Sequence, residues 1–194
     1  AGHTAPRHWD AARRVHDAFD AKTEALAALS ATGAPADNLQ VSADAPDWYH
    51  PGRSGALRLG KQVLAYFGEL HPRVLEAYDM RGPVAAFEVF VDRLPRTKKR
   101  GGLTLSSFQP VDRDFAFVVD AGVPAEDLIR AAKGADKDLI AEVKLFDVYT
   151  GDKVGEGKKS LAIAVTLQPT EKTLTEQEID AVGKRVIEQV QKKT

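Results

Sequence analysis

The sequence predicts an α+β protein in two parts, a helix with a mainly antiparallel sheet followed by a β-α-β-β-α segment. Three observations support this. Apolar residues recur at helical spacing near both ends of the chain, and short apolar segments bounded by Gly, Pro and Asn lie between them. A basic stretch with two glycines interrupts the pattern near the middle. A length of 194 residues suits one large domain or two small ones.

The composition is that of a globular chain without a strong charge bias. The net charge of −1 weighs against a generic polyanion binder, which usually carries a basic excess. No apolar run approaches the roughly 18 residues that span a bilayer, and the start AGHTAPRHWD lacks an apolar signal segment. It also lacks an initiator Met, so we expect either a processed chain or, the interpretation we favour, a fragment of a longer one. The absence of cysteine excludes disulfides and thiolate catalysis, and it suits a cytoplasmic protein.

The first part, residues 1–95, is predicted to combine a long helix with a short-stranded sheet. A helix over 8–29 is predicted from four apolar residues at helical spacing, namely Val15, Phe19, Leu26 and Leu29. The turn cluster TGAPADN follows it. Strands are expected over 39–42, 56–59, 62–70 and 84–91, with a turn-rich loop over 43–55 and a short helix over 74–78.

Residues 94–106, LPRTKKRGGLTLS, mark a change of composition. The stretch is basic and carries a Gly-Gly pair without apolar periodicity. We therefore expect a linker over 96–106 and a second domain over 107–194. The other interpretation is a solvated loop whose charges make no specific contact.

The second part has a more regular pattern. Strands are predicted over 115–119, 140–148 and 161–167, with one helix beginning at Pro124 and another over 173–193. In the last helix, Thr175 and Glu178 have the spacing of a capping box. Its buried stripe is predicted to be Ile179, Val182, Val186 and Val190. The order β-α-β-β-α predicts a ferredoxin-like domain, which would need one more strand after this helix.

No residue pattern indicates catalysis or metal binding. The five histidines lack the H-E-x-x-H arrangement, and His50 and His71 precede prolines, so we expect those two to shape turns. The loop GDKVGEGKKS (151–160) is not a phosphate-binding P-loop, because Lys159 stands where Ser or Thr is required. It also leads into a strand rather than a helix. We therefore predict no catalytic and no metal-binding residue in this chain.

The strongest functional signal is the predicted hairpin over 145–162, LFDVYTGDKVGEGKKSLA. The facing ends of its strands carry an acid, an aromatic ring, two lysines and a hydroxyl, namely Asp147, Tyr149, Lys158, Lys159 and Ser160. Such a mixture suits an unstacked nucleotide base. Strand alternation puts Leu145, Asp147 and Tyr149 on one face. It puts Phe146 and Val148 on the other, which we expect helices to cover. On spacing alone, Tyr149 could instead be a core residue with its hydroxyl at the rim.

The motifs of the second part resemble a known domain. SFQPVDRDFAFVVD (107–120), LFDVYTG (145–151), GEGKKSLA (155–162) and TLTEQEI (173–179) occur in the order found in the ferredoxin-fold anticodon-binding domain. That domain closes the β subunit of bacterial phenylalanine–tRNA ligases. In the first part, WYHPGRSG (48–55), FGELHPRVL (67–75) and VAAFEVFVDRLP (84–95) resemble the end of the preceding synthetase-like module. That module carries no active site in the family.

The resemblance implies a subunit of an α2β2 ligase that charges tRNA(Phe) using ATP and Mg²⁺. Catalysis in the family lies on the α subunit, so this chain is expected to be non-catalytic. The resemblance implies neither a membrane nor a DNA partner. It does imply a last strand whose motif does not occur in this sequence, so we expect either an unpaired sheet edge or disorder of the residues that would form that strand.

The resemblance also assigns residues to the anticodon stem-loop. Tyr149 would stack on a base, and Asp147 and Ser160 would bind base edges by hydrogen bonds. Ala116 would line the same pocket through its backbone, whereas Lys158 and Lys159 are assigned to phosphates by charge alone. The alternative is a ferredoxin-like regulatory or assembly module without RNA binding.

Overall fold

A computed structural model describes residues 2–10, 12–95 and 106–194. The chain divides into two compact units, residues 1–101 and 102–194. The linker predicted over 96–106 lies outside the described residues except for Ser106. Within the described residues, no helix is both long enough and apolar enough to cross a membrane.

The first unit is a four-stranded antiparallel sheet with one long helix packed on it. The helices are α1 (Ala18–Ala31) and α2 (Pro72–Ala77), and the strands are β1 (Gln40–Ser42), β2 (Tyr49–Leu59), β3 (Gln62–Leu70) and β4 (Ala85–Val89). The strands lie in the order β1-β2-β3-β4. The core between α1 and the sheet includes Leu29, Leu57 and Leu64, all fully buried.

Helix α1 begins at Ala18, not at residue 8 as predicted. Asp17 caps it, because its carboxylate accepts hydrogen bonds from the backbone N–H groups of Phe19 and Asp20. The predicted apolar stripe is right for Leu29, which is fully buried, and wrong for Phe19, which is 76% exposed. The other buried residues of the helix are small, namely Ala21 and Ala25. Alanines let the helix approach the sheet closely, which a ranking by side-chain hydrophobicity does not reveal.

Strand β2 takes in part of the segment predicted as a loop, since it starts at Tyr49. The two histidines predicted to shape turns do bind local backbone. His50 Nδ1 accepts a hydrogen bond from the N–H of Gly52, and His71 Nδ1 accepts one from the N–H of Arg73 at the start of α2, both at 3.1 Å. His50 lies within β2 and His71 is the N-cap of α2, so both bind local backbone but neither lies in a turn.

The second unit has the predicted β-α-β-β-α order. It comprises β5 (Val111–Asp120), α3 (Ala125–Lys133), β6 (Ile140–Tyr149), β7 (Lys158–Leu167) and α4 (Glu176–Lys193). The sheet order is β5-β7-β6, and both pairings are antiparallel. Within the described residues β5 pairs with β7 alone, so its outer edge has no strand partner. The fold class is the predicted one.

Helix α4 confirms two predictions made from spacing. Thr175 Oγ1 accepts a hydrogen bond from the N–H of Glu178, and Glu178 Oε2 accepts one from the N–H of Thr175, which completes the capping box. The predicted stripe is buried, namely Ile179, Val182, Val186 and Val190. These residues and those of α3 share one core with the inward side of β7. Both helices therefore cover the same face of the sheet.

Candidate nucleic-acid interface

The other side of the β5-β7-β6 sheet, here called the open face, is not covered by α3 or α4. Alternate residues of the central strand β7 show this division. Those directed toward the helices are at most 2% exposed, namely Leu161, Ile163, Val165 and Leu167. Those directed toward the open face are half-buried, namely Ser160, Ala162, Ala164 and Thr166. The open face is therefore lined along its centre by small or hydroxyl-bearing side chains.

Cross-strand pairing places Tyr149 in the first row of the open face. Tyr149 on β6 pairs with Ser160 on β7, and Ser160 pairs with Val118 on β5. Neighbouring strands lie about 4.8 Å apart, so this row is about 10 Å wide, enough for one flat base. Tyr149 is 40% exposed. A core position for its ring, the simpler interpretation of its spacing, is therefore wrong.

A second row lies beside the first. Asp147 on β6 pairs with Ala162 on β7, and Ala162 pairs with Ala116 on β5. Asp147 and Ala116 are both exposed. The structure thus brings four of the predicted site residues, Tyr149, Ser160, Asp147 and Ala116, into two adjacent rows of one face.

A β-bulge at Phe146 produces this arrangement. Leu145 pairs with Ile163 and Asp147 pairs with Ala162, so consecutive residues of β7 face residues two apart on β6. The extra residue reverses the alternation. Leu145 therefore packs against the core, and the prediction that it shares a face with Asp147 is wrong.

The helices do not cover the end of β6 that carries Phe146 and Val148. Phe146 is 59% exposed and Val148 is 50% exposed. The prediction that both would be buried under the helices is therefore wrong. Phe146 is the extra residue of the bulge. Val148 pairs with the buried Leu161, so it lies on the helix side of the sheet as predicted but remains exposed there.

The two lysines of the hairpin lie on opposite faces of the sheet. Lys158 pairs with Asp120, and its Nζ lies 3.3 Å from a carboxylate oxygen of that residue. Lys159 pairs with the buried Val119, and its Nζ donates a hydrogen bond of 2.8 Å to the carbonyl oxygen of Ala121. The structure therefore brings Lys158, but not Lys159, to the open face.

The open face carries more acids than bases. Its acids are Asp112, Asp114, Asp120, Glu142 and Asp147, and its bases are Lys144 and Lys158. Lys144 Nζ lies 2.8 Å from Oε2 of Glu142. The hydrogen bond between them raises the pKa of Lys144, so this lysine stays charged. Net charge does not draw phosphates to such a surface. Carboxylates, however, accept hydrogen bonds from the amino and imino groups of bases.

Sequence reasoning missed Val118 and Lys144 on this face. Val118 is 56% exposed in the same row as Tyr149, so it adds an apolar surface at the other side of Ser160. The signal was available, because Val118 lies two residues after Ala116 on the same strand. Lys144 lies before the bulge, so its face could not be read from the position of Asp147.

The described residues show no grouping that points to catalysis with a metal. Among them, no three or more His, Asp or Glu side chains are placed to hold a metal ion. What the open face offers is an exposed ring, a carboxylate and a hydroxyl on a shallow surface. These groups can bind and discriminate a ligand.

Comparison with known proteins gives one match for each unit. Residues 106–194 match the family described as ferredoxin-fold anticodon binding domain. Residues 1–91 match the family described as phenylalanyl tRNA synthetase beta chain CLM domain.

Full-length relatives are similar over nearly the whole chain. The phenylalanine–tRNA ligase beta subunit of Rhodospirillum rubrum is 55% identical over 199 residues, which cover 100% of this chain and 25% of that protein. The beta subunit of Bradyrhizobium diazoefficiens is 56% identical over 194 residues, covering 97% of this chain and 24% of that protein. The chain thus spans about a quarter of the length of these curated relatives.

Proposed function

Since the chain belongs to the family of phenylalanine–tRNA ligase β subunits, we propose that its second unit recognises the anticodon stem-loop of tRNA(Phe) through the open face. One observation carries this proposal. An exposed ring, Tyr149, lies in a row with a hydroxyl, Ser160, and beside an exposed carboxylate, Asp147, on a sheet face without helices.

In the proposed complex, one unpaired base stacks on the ring of Tyr149. Asp147 accepts hydrogen bonds from amino or imino groups at the edge of that base, and Ser160 donates or accepts one more. Ala116 lines the pocket through its backbone. Ala162, which lies between Asp147 and Ala116, leaves room for the base because its side chain is a single methyl group.

Charge contributes less to this interface than base contacts do. Lys158 is the better placed of the two lysines assigned to phosphates, since it lies on the open face next to the row of Tyr149. Lys159 binds the backbone of Ala121 on the other side of the sheet. The acidic surroundings favour a partner that offers base edges and not only phosphates.

At the level of the whole protein, we propose that the chain works as part of the β subunit of an α2β2 ligase in the cytoplasm. The holoenzyme would charge tRNA(Phe) with phenylalanine, using ATP and Mg²⁺ on the α subunit. The contribution of this chain would be to bind the tRNA and thereby position it. It would supply no reacting group.

The stacking role is tested with Tyr149→Ala in the full chain. Binding of a fluorescein-labelled anticodon stem-loop of tRNA(Phe), followed by fluorescence anisotropy, should weaken by about 1–3 kcal/mol, the contribution of one base stack. Tyr149→Phe is the matched control, because it keeps the ring, and its affinity should stay close to that of the parent. Equal affinity of the Ala variant and the parent would contradict the stacking role.

A second candidate function, assembly through the sheet edge, has one observation in its favour. The outer edge of β5 lacks a strand partner within the described residues, and such edges can accept a strand from another chain. A groove of about 510 Å³ runs along this edge, lined in part by Phe117, Val118 and Ile187. If assembly were the function, sedimentation would show self-association at micromolar concentration that the stem-loop does not change.

A further inference from the structure

Gly151 lies directly against the ring of Tyr149, two residues earlier in the chain. A β-carbon built on Gly151 would be 2.1 Å from Oη of Tyr149 and 2.3 Å from Cζ. Both distances are far below van der Waals contact. In the observed position of the ring, residue 151 can therefore have no side chain.

The backbone of residue 151 gives no other reason for a glycine. Its φ of −89° and ψ of 178° belong to the extended region that any residue adopts. The same turn contains two glycines of a different kind. Gly155 has φ +86° and Gly157 has φ +72°, so these two serve the backbone, and space is open where their β-carbons would be. Gly151 differs in both respects, because its backbone is extended and the three atoms nearest its added β-carbon all belong to the Tyr149 ring.

Packing, and not hydrogen bonding, fixes this ring. Within the part of the chain that the structure describes, the hydroxyl of Tyr149 has no hydrogen-bond partner, and 40% of the residue remains exposed. The Cα of Gly151 thus supports the ring while part of the ring surface stays open to solvent. An aromatic ring held in place before binding loses less conformational entropy when a ligand stacks on it.

We propose that Gly151 is a positioning residue for base recognition, which acts by letting the Tyr149 ring lie against the turn in a stacking-competent orientation. The inference rests on the proposed function of Tyr149. It extends the recognition site to a residue that need not contact the RNA.

The test is Gly151→Ala in the full chain. The backbone tolerates alanine, and the clashing atoms belong to the free end of a side chain, so the ring should turn away while the fold is kept. We expect an unchanged thermal midpoint and an affinity for the labelled anticodon stem-loop that falls by at least about fivefold. Shifted NMR resonances of the Tyr149 ring in the free protein should report its displacement.

Gly122→Ala is the matched control. Gly122 lies in the loop between β5 and α3, has nothing within 4 Å of its added β-carbon, and does not adopt a left-handed φ. This variant should bind like the parent. Loss of affinity in Gly122→Ala equal to that in Gly151→Ala would overturn the proposal.

A double-mutant cycle separates this inference from the proposed function. In the Tyr149→Ala background, Gly151→Ala should cause no further loss of affinity. Suppose that Tyr149→Ala binds weakly but Gly151→Ala binds like the parent or leaves the ring resonances unmoved. This result would overturn the role of Gly151 and leave the proposed function intact. Parent-like binding in Tyr149→Ala would overturn the proposed function itself.

The double variant also keeps the proposal testable if Gly151→Ala does not fold. If Gly151→Ala unfolds the chain, the double variant should fold again, since the clashing ring is gone. A double variant that stays unfolded would show that the backbone needs the glycine and would overturn the proposal.

Discussion

Asp147 pairs with Ala162 across β6 and β7, although Leu145, two residues earlier, pairs with the adjacent Ile163. The bulge between them decides which face of the sheet carries the candidate site. In a regular strand, Leu145, Asp147 and Tyr149 would share one face. The extra residue leaves Leu145 in the core and turns Asp147 and Tyr149 outward together.

The first prediction concerns the carboxylate of Asp147. Asp147→Asn should weaken binding of the anticodon stem-loop by about 1–3 kcal/mol, because an amide cannot replace both acceptor oxygens at a base edge. Asp152→Asn is the matched control. Asp152 is an exposed acid in the adjoining turn, and its substitution removes the same negative charge. Loss of a negative charge alone should leave RNA affinity equal or slightly higher. Anisotropy titrations that show the same change for both variants would contradict base-edge recognition by Asp147.

The second prediction separates Lys158 from Lys159. Lys158→Ala should weaken RNA binding and lower the slope of log affinity against log salt by about 0.7, the value for one phosphate contact on a single strand. Lys159→Ala should leave that slope unchanged. It should instead lower the free energy of unfolding by about 1 kcal/mol or less, because it removes the hydrogen bond to Ala121.

Anisotropy over a series of NaCl concentrations measures the slopes, and urea denaturation measures the stabilities. The opposite assignment, with the slope altered by Lys159→Ala and not by Lys158→Ala, would show that the face on which each lysine lies does not determine its role.

The third prediction tests the division of the sheet into a core face and an open face. Ile163→Ala removes a fully buried side chain and should cost about 2–5 kcal/mol of unfolding free energy. Val118→Ala on the open face, where the residue is 56% exposed, should change stability by about 0.5 kcal/mol or less. Urea unfolding followed by circular dichroism checks both values. A large loss for Val118→Ala would mean that another part of the chain covers the open face.

The fourth prediction concerns pH and the start of α4. Hydrogen bonds lower the pKa of Glu178 from its ordinary value of 4.5 to about 2. The largest contribution comes from Lys172, and smaller contributions come from the backbone and side chain of Thr175. A carboxyl group with a lowered pKa stabilises the folded state above its unfolded pKa, and that stabilisation is lost as pH falls through the folded value. Glu178→Gln should therefore be less stable than the parent at neutral pH. The difference should shrink between about pH 4.5 and pH 2.

Urea midpoints measured at intervals across that pH range check this prediction. Lys172→Met should act in the same direction, because it removes the main cause of the lowered pKa. A difference between Glu178→Gln and the parent that stays constant down to pH 2 would contradict the assignment.

The sequence predicted the second unit better than the first. In α4, the capping box and the apolar stripe depend only on residues three or four apart, and both were confirmed. The predicted start of α1 at residue 8 was wrong because it followed the apolar spacing back past Asp17 and did not use the capping box that Asp17 forms with Asp20. The buried residues of α1 are mostly alanines. Their burial depends on the sheet against which the helix packs, so local spacing does not predict it.

For the candidate site, too, local patterns were predicted correctly and long-range contacts were not. The sequence by itself determined the family, the β-α-β-β-α order and the residue types of the hairpin, because these depend on motifs and local periodicity. Only the tertiary structure decided which of those residues share a face. The bulge at Phe146, the separation of Lys158 from Lys159 and the contact of Tyr149 with Gly151 all depend on how β6 pairs with β7 and how the turn between them folds. Such pairing is set by contacts between residues distant in the chain, which no local pattern specifies.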